Sequence, residues 1–152
     1  MTQSGIFAEW FGVLVDDHGQ PLPGVLAAVE RLGKRNVVVV SVVHHGNSSG
    51  TLPGIRGPVT LPTAHRERFM LPRPGLVLQA ARHYSLDLPK SWVIGTTTAH
   101  ALAAAQAGCA GCVLIGAPPP ANDLGIIVAT ARDFADCPRV MIPRGGGCWH
   151  DA

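Results

Sequence analysis

Asn36-Val37-Val38-Val39-Val40-Ser41-Val42-Val43 is a nearly unbroken β-branched run in which polar and apolar residues do not alternate. A strand with one wet face would alternate at every second position. One covered on both faces need not, so the run reads as a central strand of a parallel sheet. Parallel strands require crossover connections, and the flanking sequence supplies them. Upstream, Ile6 to Val15 is an apolar run punctuated by Gly12 and broken at Asp16-Asp17-His18-Gly19. PLPGVLAAVERLGKRN follows, with Pro23 where a helix can begin, Val25, Leu26, Val29 and Leu32 at helical spacing, and Gly33 as a stop.

Downstream, Pro74-Gly75 opens a helix through LVLQAARHY, and Ser91 to Gly95 is a short strand. Thr96 to Ala107 is an Ala-rich helix stopped by Gly108. Cys112 to Gly116 and Ile126 to Ala129 give two further strands, the second followed by a helix from Ala131 to Asp136. The alternation predicts an α/β fold, a doubly wound, three-layer parallel sheet in a single domain over residues 1–142. Residues 44–70, rich in Gly, Pro, Ser and Thr, read as an irregular loop, and 143–152 as a flexible tail. Ligands of such folds collect at the carboxyl ends of the strands. That rule places Gly12 to Asp16, Ser41 to His45, Gly95 to Thr98 and Gly116 on one rim.

Composition narrows the partners. Of 152 residues, 47% are hydrophobic and 14% charged, with a mean hydropathy of +0.24. A sheet covered on both faces accounts for that, and so does a surface buried against another protein. The net charge is +2 with no Lys/Arg run, which argues against nucleic acid. No apolar stretch approaches the ~20 residues needed to cross a bilayer, and MTQSGIFAEW lacks the basic-then-apolar pattern of a signal peptide. Cys109, Cys112, Cys137 and Cys148 are too few and too clustered for a disulfide scaffold, so a cytoplasmic setting is expected.

Four stretches, in order, resemble the haloacid-dehalogenase (HAD) superfamily, and within it the heptose-1,7-bisphosphate 7-phosphatase and histidinol-phosphatase branch. Phe7-Ala8-Glu9-Trp10-Phe11-Gly12-Val13 through Gly19 is similar to that branch's F-L-D-R-D-G-V pattern, and Val38-Val39-Val40-Ser41-Val42-Val43 to its V-V-V-T-N-Q. Met70-Leu71-Pro72-Arg73-Pro74-Gly75 resembles R-K-P-x-P-G, and Ser91-Trp92-Val93-Ile94-Gly95-Thr96 through His100 resembles S-W-x-V-G-D-x-x-x-D. The resemblance implies a HAD-like sheet with a minimal cap or none.

It also implies a chemistry that these residues do not support. The nucleophile position holds Glu9, one methylene longer than Asp, and a misplacement of about 1 Å can cost ~10²-fold. The acid/base position holds Phe11, which transfers no proton. Leu71 replaces the phosphoryl-binding lysine, and Thr96 and His100 replace the metal-site acids. Only Ser41 keeps the residue type of its motif. The expectation is therefore a pseudophosphatase without cofactor: Mg²⁺ is not expected, and zinc is not expected from His44, His45 and His65 or from Cys109, Cys112, Cys148 and His150.

Two binding roles remain. Trp10 and Phe11, at the lost catalytic position, are candidate contacts to a partner protein, which would make the chain a structural or regulatory subunit. Ser41, Arg73 and the turn Thr96, Thr97, Thr98 at a helix N-terminus are candidates for holding a phosphorylated or sugar ligand. A third reading is a divergent hydrolase using Glu9, a histidine or zinc. A Ser41–His–Asp16 triad has no nucleophile-elbow sequence to support it.

Overall fold

The valine run lies inside a six-stranded sheet, as its two-sided apolarity requires. The computed structural model describes residues 3–44 and 50–141. Its strands are β1 (Gly5–Glu9), β2 (Val38–Val43), β3 (Ile55–Thr60), β4 (Trp92–Gly95), β5 (Gly111–Ile115) and β6 (Ile127–Ala131), in the order β3-β2-β1-β4-β5-β6. Every neighbouring pair is parallel. The helices are α1 (Val25–Lys34), α2 (Gly75–Tyr84), α3 (Thr98–Ala107) and the short α4 (Cys137–Val140).

Alternation along the strands sorts the core into two layers. Ile6, Ala8, Val39, Val43, Trp92, Ile94 and Val113 pack with Val25, Ala28, Val29 and Leu32 of α1 and with Phe134, Cys137 and Met141. Phe7, Val40, Val42, Val93, Cys112 and Leu114 pack on the opposite face with Leu76, Val77, Ala80 and Ala81 of α2 and Ala101, Ala104 and Ala107 of α3. The result is the expected three-layer, doubly wound α/β architecture. Between β1 and α1 the chain makes only small bridged turns, Phe11 with Val15 and Val15 with Pro21, so the cap is minimal. No helix among the described residues is long and apolar enough to cross a membrane.

Three elements depart from the sequence expectations. Residues 44–70 are not irregular throughout: Ile55–Thr60 is strand β3, paired with β2, and Arg66–Arg68 is a 3₁₀ turn. Pro58 and Gly57 hide this strand from a propensity reading, and both are tolerated because β3 is an edge. The stretch expected as a helix from Ala131 is instead the end of β6, a 3₁₀ turn at Phe134–Asp136, and α4. Asp133 opens it, its side chain accepting from the Asp136 amide at 2.9 Å. Finally, α1 runs past Gly33, and Asn36 makes the left-handed turn at φ 63°. The expected tail, 143–152, lies outside the described residues.

Gly111 lets β4, β5 and β6 close over Trp92. A Cβ there would stand 2.6 Å from Cζ3 of Trp92 and 2.7 Å from the Ile127 carbonyl oxygen. Gly111→Ala should lower stability by about 1–3 kcal/mol through overpacking. Urea denaturation would show it as an earlier midpoint at unchanged slope; an unmoved midpoint would mean that the three strands separate there without strain.

Candidate functional site

The carboxyl rim is organised by Glu9, the last residue of β1. By alternation its side chain shares the face of Phe7, the α3 side of the sheet. His44 follows β2 immediately and has the parity of Val40 and Val42, so it rises on the same side. His100 is the third residue of α3 and comes down from that layer. Gly95 makes room for it, since a Cβ at that position would lie 2.1 Å from Cγ of His100. Exposure is 4% for Glu9, 3% for His44 and 1% for His100.

The three side chains form one hydrogen-bonded cluster. Oε1 of Glu9 lies 2.7 Å from Nδ1 of His44 and 2.8 Å from Nε2 of His100, and Oε2 accepts from the His44 backbone amide at 2.8 Å. The rings meet edge to face with centroids 5.6 Å apart. Burial alone would push the Glu9 carboxyl upward. The hydrogen bonds and charges of His100 and His44 outweigh it and hold the group at about 2, against an ordinary 4.5. On the far side of the His100 ring, Nδ1 lies 3.4 Å and 3.3 Å from the amides of Thr96 and Thr97 and 2.9 Å from Oγ1 of Thr97. Backbone amides only donate. Nδ1 therefore accepts, and the ring proton sits on Nε2, facing Glu9. Among the described residues Nε2 of His44 has no partner, a cost of about 1–3 kcal/mol for a buried polar atom.

This cluster corrects the expectation of a chain without a metal site. A carboxylate oxygen and two ring nitrogens whose donor atoms lie within 4.8 Å of one another can hold a cation. From sequence, His100 is only a replaced acid, and His44 a rim residue from which zinc is not expected. The donors are one carboxylate and two imidazoles, a set suited to zinc, manganese or iron. It supplies fewer hard oxygens than Mg²⁺ favours.

The other candidates are placed as follows. Ser41 pairs with Ala8 and faces the α1 layer, not the rim cluster. Its hydroxyl, 1% exposed, donates to the Arg56 carbonyl at 3.2 Å, beside Gly57 of β3. Trp10 is 2% exposed and packed in the core, its amide donating to the Val42 carbonyl at 2.9 Å; Phe11 is half-buried against it. Thr96 is half-buried, Thr97 and Thr98 are exposed, Leu71 is half-buried and Arg73 exposed. Asp16 shapes a turn, accepting from the amides of His18 and Gln20 at 2.9 and 3.0 Å. Cys109, Cys112 and Cys137 are buried free thiols, and burial pushes Cys109 up to about 12. His45, Cys148 and His150 lie outside the described residues.

No protein-family model and no curated protein matches the sequence. Solved structures do resemble the fold. D,D-heptose 1,7-bisphosphate phosphatase from B. bronchiseptica superimposes with a TM-score of 0.65 at 20% identity, covering 88% of this chain and 95% of that one. A HAD-superfamily hydrolase from Ehrlichia chaffeensis gives 0.63 at 12% identity, covering 90% and 95%. A 2-haloacid dehalogenase from Pseudomonas syringae pv. tomato gives 0.61 at 18%, covering 81% and 55%. At these identities the likeness speaks to architecture: the chain has the α/β fold of the HAD-superfamily hydrolases and phosphatases.

Proposed function

We propose that this HAD-fold chain does not run phosphoaspartate chemistry and that it acts by binding another protein, as a structural or regulatory subunit. The observation that carries the first part is the state of Glu9. A nucleophilic carboxylate needs an oxygen free to attack. Both oxygens of Glu9 accept hydrogen bonds, three in all, beneath a nearly closed surface. Phe11 and Leu71 stand where the resemblance implies an acid and a cation, so neither the leaving group nor the phosphoryl oxygens would be served. A binding role is supported by the low charged fraction and by the exposed side chains of Leu26, Met70, Leu78 and Ile127. Half-buried Phe11 can contribute to such a surface, whereas Trp10 already fills the core.

The convergence of Glu9, His44 and His100 favours a second reading, a hydrolase whose chemistry depends on a cation held there. A phosphate-binding carrier has less support, because the Thr96 and Thr97 amides already meet His100. With Mg²⁺ and p-nitrophenyl phosphate, the full chain should turn over no faster than its Glu9→Ala variant. A rate that vanishes in that variant would overturn the non-catalytic reading; a rate that appears only with added zinc or manganese and is lost in His44→Ala would establish the second. Affinity capture from the native cell should return a stoichiometric partner, and a solitary monomer would count against the subunit role.

Glu9 also sets a dependence on acid. Its folded pKa is depressed, so its contribution is full above the unfolded value near 4.5 and is lost as pH falls toward about 2. The contribution at neutral pH is on the order of 3 kcal/mol. Glu9→Gln removes the titrating group and turns an NH₂ or a single oxygen toward the His44 amide. It should be less stable at pH 7 and should lose the steep decline between pH 4.5 and 2 in urea midpoints. Parallel profiles for the two proteins would show that Glu9 is not ionised in the fold.

A further inference from the structure

We infer that the Glu9–His44–His100 cluster is a site for a borderline divalent ion of the zinc and cobalt class in preference to Mg²⁺, and that Thr97 is its positioning residue. The inference concerns the site and does not depend on whether the chain turns anything over. Metal binding and phosphate-ester turnover are read by different measurements, so either reading can fail alone.

Three features of the cluster carry it. The donor atoms already converge, so little rearrangement is needed to gather them. Two of the three are imidazole nitrogens, which bind zinc, cobalt and nickel well, whereas Mg²⁺ takes oxygens and gives up water reluctantly. All three residues are buried, and both histidines meet Oε1 of Glu9, His44 through Nδ1 and His100 through Nε2, so the donors face one another out of bulk water.

Thr97 enters through the proton count on His100. Without metal, the proton on Nε2 points at Glu9, and Nδ1 accepts from the amides of Thr96 and of Thr97, the N-cap residue just before α3. A metal ion on Nε2 needs the lone pair there. The proton on Nε2 leaves to solvent and Nδ1 takes one up, so the ring stays neutral and only its tautomer changes; at His44 the proton that Nδ1 donates to Glu9 is exchanged for one on Nε2 in the same way. Nδ1–H then requires an acceptor. The Thr96 and Thr97 amides at 3.4 and 3.3 Å cannot accept, but Oγ1 of Thr97 at 2.9 Å can. The hydroxyl works in either direction, donating to Nδ1 in one tautomer and accepting from Nδ1–H in the other. Such outer contacts fix ring orientation in metal sites.

Cobalt(II) titrated into the chelator-treated full chain is expected to give one equivalent of binding with visible ligand-field absorption. The band should be lost in His44→Ala and His100→Ala, displaced by zinc, and unmoved by a large excess of Mg²⁺. Thr97→Gly should weaken binding on the order of tenfold or more, whereas Thr97→Ser should bind as the parent does. Glycine keeps most of the N-cap preference, so the helix start is retained. Nitrogen-15 spectra of the imidazoles in the unmutated protein should show the His100 proton move from Nε2 to Nδ1 on adding zinc, a readout that survives if a variant fails to fold. No cobalt band and no imidazole shift, or displacement of cobalt by Mg²⁺, would overturn the site. Parent-like affinity in Thr97→Gly would overturn the role of Thr97.

Discussion

A carboxylate ion taken out of water at the end of a central strand must be matched by donors, or the fold loses several kcal/mol. Glu9 meets that demand with the His44 amide and two imidazoles, one arriving from the end of β2 and one from the start of α3. Much else follows from this. The cluster ties β1 to both neighbouring connections, so the rim is held by polar bonds while the rest of the sheet is held by apolar packing. It requires Gly95 at the end of β4, because only a residue without a side chain leaves His100 its place. It also holds the start of α3, where the amides of Thr96 and of the N-cap residue Thr97 turn toward the His100 ring.

The fold was legible because its signals are strong and local. Val37 to Val43 could only be an interior strand, the stop at Gly108 was placed correctly, and the Ala-rich face of α3 was apparent from composition. β3 was not legible. Its core-facing contribution is Ile55 and Val59 alone, and the intervening Arg56, Gly57 and Pro58 carry no periodic signal. Tertiary pairing with β2 makes it a strand. The segment after Ala131 failed for the opposite reason: short helical turns capped by Asp133 have too few residues to register as a pattern.

Half of the candidate site could have been found by counting. The strand-end rule put Ser41 to His45 on the rim, and a motif likeness then drew attention to Ser41. Ser41 and His44 are three residues apart, so they leave an extended chain on opposite faces. Glu9 has the parity of Phe7, and of Ser41 on β2 and His44 just after it only one can meet it. What counting could not reveal is that His100 reaches Glu9. That contact depends on how far α3 advances over the sheet, which is set by the small side chains Ala101, Ala104 and Ala107 beneath it. Trp10 was equally opaque: an aromatic residue at a vacated catalytic position can be a partner anchor or core filling, and the packing with Val13, Leu14 and Val43 decides for the core.

The electrostatic character of the rim separates this chain from the phosphatases whose fold it has. Of the five positions where the resemblance implies charged groups, only Glu9 keeps a carboxylate, and the remaining four hold Phe11, Leu71, Thr96 and His100. A phosphate ester approaching the metal-free rim meets a buried anion and two amides already turned to an imidazole. Repulsion and the missing lysine act in the same direction. A bound dication would reverse the sign of that repulsion. Cation and anion would then bind with mutual support, since a coupling free energy between two ligands is the same whichever binds first. Cation and anion binding at this rim thus depend on one local quantity, the net charge around Glu9.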